Sequence, residues 1–301
     1  MTCVAIIPAY LAEGTLTATL SSLRLGNGAF VQRVVVVTGQ ADPTAQVVRQ
    51  WMRHDSRVEL VTSRGRLGAG AARNGGREHV RRTTPSTENP LLLFVDADVR
   101  LEAGGAEALA RESEYGGRGV VTARILGEGD WVARCRHILE FKEAASSRAA
   151  PSFWLPPSTV MLCPGEVFDR IGGFSEFWPG EDLVFSQTLR DYGVRVWRSD
   201  DVLAVHQHPP GVVAMLLHQW RLGTTAATAR RRCSLPGSVF ARRPLLAPLL
   251  FPARALRIAI WQAREGGQAW FRSLILSPLL LMGLLVWTAG FTRESSARDA
   301  K

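Results

Sequence analysis

The 301-residue sequence contains very little lysine and little cysteine. Lysine occurs only at Lys142 and Lys301, so the net charge of +9 comes almost entirely from arginine. The four cysteines are far apart, at Cys3, Cys135, Cys163 and Cys233. This spacing excludes the usual cysteine-rich metal sites, and we expect reduced thiols in a cytosolic compartment.

Two further features are missing. Residues 1–10 have neither the positively charged start nor the cleavage site of a secretory signal, so we expect the catalytic part in the cytoplasm. A basic stripe for nucleic acid is also missing, because the arginines are dispersed through the first 200 residues and are most concentrated at residues 230–232 and 242–243. The hydrophobic content of 46% is ample for a core and excludes global disorder.

Over the first 125 residues, short apolar runs alternate with helical patterns. Strands are predicted at residues 3–8, 34–37, 58–62, 91–95 and 120–124, and helices at residues 12–25, 44–53, 71–82 and 102–111. This alternation indicates an α/β fold with a mostly parallel sheet and right-handed crossovers. The rhythm then breaks, and shorter elements follow. Helices are predicted at residues 131–147, 165–171 and 183–192, and strands at residues 160–163, 194–197 and 202–205.

The C-terminal part has a different composition. Residues 245–260 are apolar but interrupted by prolines and arginines, which favours an amphipathic segment at a membrane interface. Residues 274–291 are 18 residues without a charge, the minimum for a transmembrane helix; a buried helix of a soluble core is the alternative. We therefore predict a catalytic domain at residues 1–225 and a membrane-associated region at residues 226–301.

The stretch at residues 91–98 combines a buried strand with two acids. Five apolar residues are followed by Asp96 and Asp98. Ligands bind outside the carboxyl ends of strands in open α/β sheets. Two carboxylates two residues apart suit Mg²⁺ or Mn²⁺ carried in with phosphates. A strand that simply ends in a polar turn is the alternative.

Three other motifs could carry chemistry. The glycine-rich loop at residues 65–75 lacks the Lys-Ser/Thr of a P-loop, and Arg73 replaces the third glycine of a dinucleotide fingerprint. Arg73 could instead contact a phosphate. Glu181 and Asp182 begin a predicted helix whose dipole would stabilise them, or one could accept a proton from a hydroxyl. His206, which is structural in the simpler interpretation, could complete a metal site near the acidic pair.

Taken in chain order, these motifs resemble those of the family 2 glycosyltransferases, which are inverting enzymes of the GT-A fold. The resemblance covers roughly residues 3–225, and an ordered series of motifs is much more specific than any one of them. The series is Ile6-Ile7-Pro8-Ala9-Tyr10, Glu13, Asp42-x-Thr44, Ala71-Ala72-Arg73-Asn74-x-Gly76, Val95-Asp96-Ala97-Asp98, Ile171-Gly172-Gly173-Phe174, Gly180-Glu181-Asp182 and His206.

The resemblance implies a role for each motif. The base and ribose of a nucleoside-diphosphate sugar would be held by Pro8, Ala9, Tyr10, Glu13 and Asp42. Arg73 would lie near the nucleotide, and Asp96 would contact the ribose or the metal.

The resemblance also assigns the metal and the base. Asp98 would bind the Mn²⁺ or Mg²⁺ that bridges the diphosphate, with His206 as a further metal or phosphate contact. Asp182 would be the general base, with Glu181 beside it. Sugar transfer would then proceed in one displacement with inversion.

The sequence departs from the family pattern at Val37 and Thr38, where an acid that reads the nucleotide base is expected. This leaves the base identity open. The acceptor would be a hydroxyl, membrane-delivered or lipid-linked, held by the loop at residues 153–154 and the segment after His208. Membrane lipids would be partners, and the protein would act at the cytoplasmic face of the cell membrane.

Two alternatives remain. The first is a sugar-phosphate nucleotidyltransferase, although residues 8–14 lack the glycine-rich, basic first loop that is usual there. The second is a non-catalytic membrane scaffold with a degraded nucleotide fold, which the missing acid makes plausible.

Overall fold

The computed structural model describes residues 2–24, 30–85, 89–114, 117, 119–146, 155–175, 180–265 and 268–297; at residues 24 and 268–276 it describes the backbone alone. The chain divides into two compact units. We call Met1–Ile125 with Leu155–His206 the sheet unit, and Leu126–Trp154 with Gln207–Lys301 the helical unit.

The sheet has eight strands among the described residues. They are β1 (Cys3–Pro8), β2 (Val31–Gly39), β3 (Val58–Ser63), β4 (Leu91–Val95), β5 (Val99–Leu101), β6 (Val120–Glu128), β7 (Val160–Pro164) and β8 (Val196–Gln207). Their order in the sheet is β3-β2-β1-β4-β7-β6-β8-β5. The helices of the sheet unit are α1 (Leu16–Arg24), α2 (Thr44–Met52), α3 (Ala69–Thr83), α4 (Gly105–Glu114), α6 (Gly165–Arg170) and α7 (Glu181–Asp191).

The predicted parallel sheet is present in the first half of the chain. Strands β3, β2, β1 and β4 pair in parallel. The second half is antiparallel, because β7 pairs in that sense with β4 and β6, and β5 with β8. The sheet is therefore mixed.

Two details of the predicted strands were wrong. The two strands expected at residues 194–197 and 202–205 form one continuous strand, β8. Strand β5 was not predicted, since its three residues are too few to show a period-2 pattern.

Strand β1 is apolar along its whole length because helices cover both faces of the sheet. Cys3, Ala5 and Ile7 belong to one core, packed with residues of α1, α2 and α4. Val4 and Ile6 face a second core built with residues of α3, α6 and α7. Parallel strands with both faces covered carry continuous apolar runs, which explains the sequence pattern that identified them.

The helical unit contains α5 (Trp131–Ala145), α8 (Val212–Arg232), α9 (Ser238–Arg242), a 3-10 helix (Pro244–Leu249), α10 (Leu250–Glu265) and α11 (Gln268–Ser296). Helices α8 and α11 approach each other at glycines. A Cβ added at Gly223 would collide with the carbonyl oxygen of Trp287, and one added at Gly290 would lie 2.6 Å from that of Trp220.

The compact units do not coincide with the predicted domains. Helix α8 runs through residue 225, and α5 belongs to the same unit as the C-terminal helices. The functional boundary between residues 1–225 and 226–301 stays a prediction.

The predicted transmembrane segment at residues 274–291 lies within α11. Leu280, Leu284 and Trp287 are buried, whereas Leu281 and Leu285 are 46% and 59% exposed. One face of the helix thus has the packing of a core helix, while another presents apolar side chains at the surface. Whether this helix crosses a membrane stays a prediction.

By length and composition, one helix within the described part of the chain could cross a membrane: the continuous segment Pro244–Glu265, most of which is not buried. A single helix of this kind is weak evidence for a span. It includes residues 245–260, which the sequence predicts to lie at a membrane interface.

Two glycines of α3 provide a matched test of the packing that holds this helix on the sheet. A Cβ at Gly76 would lie 2.5 Å from Cγ2 of Ile6 and 3.3 Å from Cγ2 of Val37, whereas one at Gly75 would meet nothing within 4 Å. We expect Gly76→Ala to lower the free energy of unfolding by about 1–3 kcal/mol through overpacking. Gly75→Ala should be neutral or stabilising by up to about 1 kcal/mol. Urea unfolding measures both, and equal effects would contradict the packing argument.

Candidate functional site

The acidic turn after β4 is held from two sides. Strand β4 ends at Val95, and the amide of Asp96 donates to the carbonyl of Thr159, next to the start of β7, at 3.0 Å. The hydroxyl of Thr19, on α1, donates to the carbonyl of Ala97 at 3.0 Å. These bonds fix the backbone that carries both acids at the carboxyl end of a central strand, where α/β proteins bind ligands.

Arg73, which is buried, and Asp96, which is half-buried, form an ion pair. Nη2 of Arg73 donates to Oδ1 of Asp96 at 2.5 Å, and the Arg73 side chain is only 3% exposed. The guanidinium also lies over the ring of Phe174, 5.0 Å from its centroid. Burial raises the pKa of Asp96, and Arg73 opposes that rise. In this structure the Arg73 side chain pairs with Asp96. The predicted contact between Arg73 and a donor phosphate therefore stays a prediction.

Asp98 and His206 are brought together by β5. Val99 is opposite His206 in the antiparallel pair β5–β8, and Nε2 of His206 lies 3.5 Å from Oδ1 of Asp98. This pairing explains how a histidine more than a hundred residues away reaches the acidic turn. The predicted proximity of these two side chains is therefore present in the structure.

Glu181 and Asp182 occupy the first turn of α7, as predicted. The residue before them, Gly180, has φ of 100°, a conformation that favours glycine. Glu181 is 9% exposed, and its Oε2 accepts a hydrogen bond from the Gly180 amide at 3.0 Å. Burial and the neighbouring charge of Asp182 raise the pKa of Glu181, whereas Arg73 opposes the rise. Arg73 thus acts electrostatically on both acidic pairs.

The glycine-rich loop has a packing role that the sequence did not reveal. A Cβ at Gly70 would lie 2.8 Å from Cγ of Glu181 and 3.1 Å from Cβ of Phe174. The start of α3 therefore lies directly against the start of α7. A small residue at this position lets the helix that carries Arg73 approach the second acidic pair.

Asn74 is a positioning residue that the sequence motif contains but to which the resemblance assigns no role. Its side-chain amide donates to the Phe174 carbonyl at 2.8 Å and its oxygen accepts from the Phe174 amide at 2.9 Å. These two bonds imitate a backbone pair and tie α3 to the Gly172-Gly173-Phe174 turn. The sequence signal that could have identified this role is the position of Asn74 next to Arg73 in the motif.

Asp42 anchors the loop after β1. Its Oδ2 accepts from the Leu11 amide and its Oδ1 from the Thr44 amide, both at 2.9 Å. Although burial would raise the pKa of Asp42, hydrogen bonds from Thr44 and Leu11 hold it below its ordinary value. Leu11 has φ of 49°, so this anchor supports a strained turn. The predicted contact of Asp42 with base or ribose stays a prediction.

The remaining residues of the first loop lie beside this anchor, and they range from buried Ala9 to exposed Tyr10. Tyr10 is 46% exposed, and the guanidinium of Arg66 lies 4.2 Å from its ring centroid. The amide of Ala9 donates to the carbonyl of Val37 at 2.9 Å, which extends the β1–β2 pairing past Pro8. Glu13 is exposed. The nucleotide-binding roles of Pro8, Ala9, Tyr10 and Glu13 stay predictions.

The described residues offer few donor groups for a metal ion. Within the residues that the structure describes, no group of three or more His, Cys, Asp or Glu side chains has the arrangement of a metal site. Asp98 and His206 nevertheless supply an oxygen and a nitrogen donor 3.5 Å apart. Mg²⁺ and related ions are commonly bound by one or two protein groups plus substrate phosphates and water, and this pair fits that mode.

The predicted acceptor loop cannot be assessed, because residues 153–154 lie outside the described residues. The segment after His208 leads into α8.

A model of the family described as glycosyl transferase family 2 matches residues 4–173, more than half of the chain. No curated protein sequence matches the chain.

The chain has the same fold as several solved structures, and three of them follow. S. aureus TarS (residues 1–349), in complex with UDP-GlcNAc, has a TM-score of 0.53 at 16% identity, covering 97% of this chain and 90% of that chain. The mannosyltransferase PcManGT from Pyrobaculum calidifontis, in complex with GDP-Man and Mn²⁺, has a TM-score of 0.60 at 18% identity, and the match covers 96% of this chain and 86% of that chain. GalNAc-T7, solved with UDP, GalNAc and Mn²⁺, has a TM-score of 0.51 at 12% identity, and the match covers 69% of this chain and 44% of that chain. At these identities the likeness establishes the fold alone.

The raised pKa of Glu181 predicts how stability depends on pH. A carboxyl whose folded pKa lies above its unfolded value stabilises the fold fully below the unfolded pKa, and that contribution is lost as pH rises through the folded pKa. We expect Glu181→Gln to match the wild type near pH 4 and to be more stable than it at pH 8. The measurement is urea unfolding at both pH values.

Glu166→Gln is the control, because Glu166 is an exposed glutamate in the first turn of another helix, α6. It should leave the pH dependence unchanged. If the stability difference between Glu181→Gln and the wild type does not grow with pH, ionisation of the buried Glu181 carboxyl does not destabilise the fold.

Proposed function

The chain belongs to glycosyl transferase family 2, and on that premise we propose that it is a metal-dependent, inverting enzyme whose acceptor is a hydroxyl on a lipid-linked or membrane-delivered molecule. As a member of this family it transfers a sugar from a nucleotide-sugar donor. The donors bound in its structural relatives are UDP-GlcNAc in TarS and GDP-Man in PcManGT.

The observation that carries the proposal is the position of Arg73 between two acidic pairs. It forms an ion pair with Asp96 and opposes the pKa rise of Glu181. The pair Asp96 and Asp98 and the pair Glu181 and Asp182 thus border one region at the carboxyl end of β4. A donor site on one side and a proton acceptor on the other is what a direct displacement requires.

On the donor side, we assign the diphosphate to the neighbourhood of Asp98 and His206. A divalent metal held by these two side chains would neutralise negative charge on the leaving nucleoside diphosphate. PcManGT and GalNAc-T7 were solved with Mn²⁺, which supports this ion for the present chain. Asp96, oriented by Arg73, would contact the ribose or the metal.

On the acceptor side, Asp182 would remove the proton from the attacking hydroxyl. The acceptor oxygen would form its bond to the anomeric carbon as the bond to the diphosphate oxygen breaks, and the proton would move to the Asp182 carboxylate. A carboxylate suffices as the base, because the hydroxyl becomes acidic only as it bonds. Glu181, which accepts a bond from Gly180, would hold the turn in place.

The acceptor and the cellular location rest on composition. The apolar C-terminal helices and the positive charge there favour an acceptor delivered by a membrane, and we place the protein at the cytoplasmic face. The acceptor-binding role proposed for residues 153–154 is part of this assignment.

Family membership favours a glycosyltransferase over a sugar-phosphate nucleotidyltransferase. The reaction product distinguishes them further, since the first releases a nucleoside diphosphate and the second pyrophosphate. A non-catalytic scaffold would release neither. The missing acid at Val37 and Thr38 bears on which nucleotide base the donor carries. Thr38 is buried, with 3% of its surface exposed.

Replacing the proposed base tests the mechanism. We expect Asp182→Asn to lower sugar transfer to acceptors in a membrane lipid extract by about 10²–10⁴-fold, because the variant cannot take up the hydroxyl proton. Binding of UDP-GlcNAc or GDP-Man, measured by calorimetry, should persist. Asp191→Asn, on an exposed acid at the other end of α7, is the control and should transfer sugar normally. Undiminished turnover in Asp182→Asn would remove Asp182 as the base.

Replacing the proposed metal ligand tests the donor site. With saturating Mn²⁺ and the preferred sugar nucleotide at a hundred times its Kd, the wild type should gain about 2.7 kcal/mol of apparent stability. Asp98→Asn should lose most of the gain that depends on Mn²⁺. Asp200→Asn, a change at an exposed acid in β8, should keep it. A thermal-shift assay with and without Mn²⁺ measures this, and an Mn²⁺ effect that survives in Asp98→Asn would contradict the assignment.

A further inference from the structure

The 3-10 helix Pro244–Leu249 and α10 carry a stripe of exposed apolar side chains. Its large members, at 94%, 55%, 61% and 42% exposure, are Leu245, Leu249, Leu256 and Ile260. Smaller exposed apolar residues on the same side are Pro248, Pro252, Ala253 and Ala259 between them and Ala263 beyond Ile260. Because these positions recur every three or four residues, they lie on one side of the helical segment.

The stripe is not part of the protein core. The opposite side of the same segment supplies the packing, through buried Ala247 and Ile258. Ile258, with Phe251 and Ala255, packs in a cluster that contains residues of α5, α8 and α11. An exposed helix face in water is normally polar, and an extended apolar surface marks a contact with a membrane or a partner.

The charge distribution identifies a partner that fits this surface. Residues 209–301 contain thirteen Lys and Arg and three Asp and Glu, whereas residues 1–208 contain 23 and 24. The positive charge of the whole protein therefore resides in its C-terminal part. The two acids described there are engaged internally: Glu265 accepts a bond from Ser146, and Glu294 pairs with Arg231.

Arginines border the stripe at both of its ends. Arg242 and Arg243 precede the 3-10 helix and are exposed, and Arg264 is exposed near the end of α10. An apolar stripe with a basic border is the pattern of helices that lie on anionic bilayers.

The arginines within α10 favour an orientation in the plane of the membrane. Arg257, near the middle of the helix, is 43% exposed and pairs with Glu143. Arg254 lies over the ring of Trp287, 4.0 Å from its centroid. A membrane-spanning α10 would carry these charges into the hydrocarbon centre, which is costly. A helix lying flat keeps the stripe among the acyl chains and lets Arg257 and Arg264 reach the headgroups.

We propose that the 3-10 helix and α10 insert together, parallel to the surface, into one leaflet of a membrane that contains anionic lipids. The role of this attachment rests on the proposed function: it would hold the enzyme at the membrane where a lipid-linked acceptor is found. Attachment itself needs no catalysis and can be measured separately.

Vesicle co-sedimentation of the full chain tests the stripe. We expect binding to phosphatidylcholine vesicles that contain phosphatidylglycerol. The double variant Leu256→Ser with Ile260→Ser should bind at least roughly tenfold more weakly, because two large apolar side chains no longer enter the acyl region. The control is Met52→Ser, which removes a side chain of 43% exposure from α2 in the sheet unit. Equal binding by the stripe variant and the wild type overturns the proposal.

The basic border has its own variant. Arg242→Gln, Arg243→Gln and Arg264→Gln combined should weaken binding to anionic vesicles roughly tenfold or more and leave the weaker binding to neutral vesicles unchanged. The matched control combines Arg49→Gln, Arg81→Gln and Arg82→Gln, three exposed arginines of the sheet unit. Anionic-vesicle binding that is insensitive to the border variant overturns the proposed lipid preference.

Depth measurements distinguish the orientations. A fluorophore is attached at Leu249→Cys or Ile260→Cys in a Cys233→Ser background, since the other three cysteines are buried. Quenching by lipids labelled at shallow and deep positions should give the same depth for both sites. In a span the two sites would lie about 16 Å apart in depth, and that result overturns the flat orientation.

Two further measurements keep the outcomes separate. A sugar-nucleotide thermal shift on the same samples shows which proposal fails: donor binding without vesicle binding overturns only the attachment, and vesicle binding without donor binding contradicts only the proposed function. Light scattering without lipid checks for a dimer that depends on Leu256 and Ile260. Such a dimer would mean that a second copy of the chain occupies the stripe.

Discussion

The ion pair between buried Arg73 and half-buried Asp96 holds the candidate site together. A charged guanidinium that is 3% exposed is costly unless it is paired, and Asp96 provides the partner at 2.5 Å. The pair joins the start of α3 to the end of β4. It also places a fixed positive charge close enough to Glu181 to act on its pKa. One side chain thus couples two acidic pairs that are separated by more than eighty residues in the chain.

Close backbone approaches make this coupling geometrically possible. Gly76 lets α3 lie against Ile6 and Val37 of the sheet, and Gly70 lets the start of α3 lie against Glu181. Asn74, between these glycines, binds both backbone polar groups of Phe174. Arg73 is therefore carried on a helix whose position is set on three sides. This arrangement gives the glycine-rich sequence a packing function in addition to any contact with a nucleotide.

The helical unit differs from the sheet unit in its packing, its exposed apolar surface and its charge. Its helices α8 and α11 pack through glycines, while α10 exposes a stripe of apolar side chains. Nearly balanced charge in residues 1–208 contrasts with thirteen basic and three acidic residues in the remainder. Apolar exposure and positive charge in the same unit fit attachment to an anionic surface. Membrane delivery of an acceptor would then be a property of this unit, and the chemistry a property of the sheet unit.

The order of the motifs determined the family, and periodicity determined most of the elements. The apolar run Leu91–Val95 is buried on both faces, and such a run predicts a strand whatever its neighbours are. The acids at Asp96 and Asp98 follow it directly in the sequence, so their place at the carboxyl end of a strand was predictable. Glu181 and Asp182 were correctly expected at the start of a helix, because acids favour helix N-termini.

Which of these groups meet depends on the tertiary structure. The pairing of Arg73 with Asp96 and of His206 with Asp98 depends on strand order and register, which involve contacts between residues far apart in the chain. The antiparallel half of the sheet and the three-residue strand β5 carry too little local pattern to be read from the sequence. The same holds for the stripe on α10, because composition shows that a segment is apolar, and only packing shows which of its faces is left exposed.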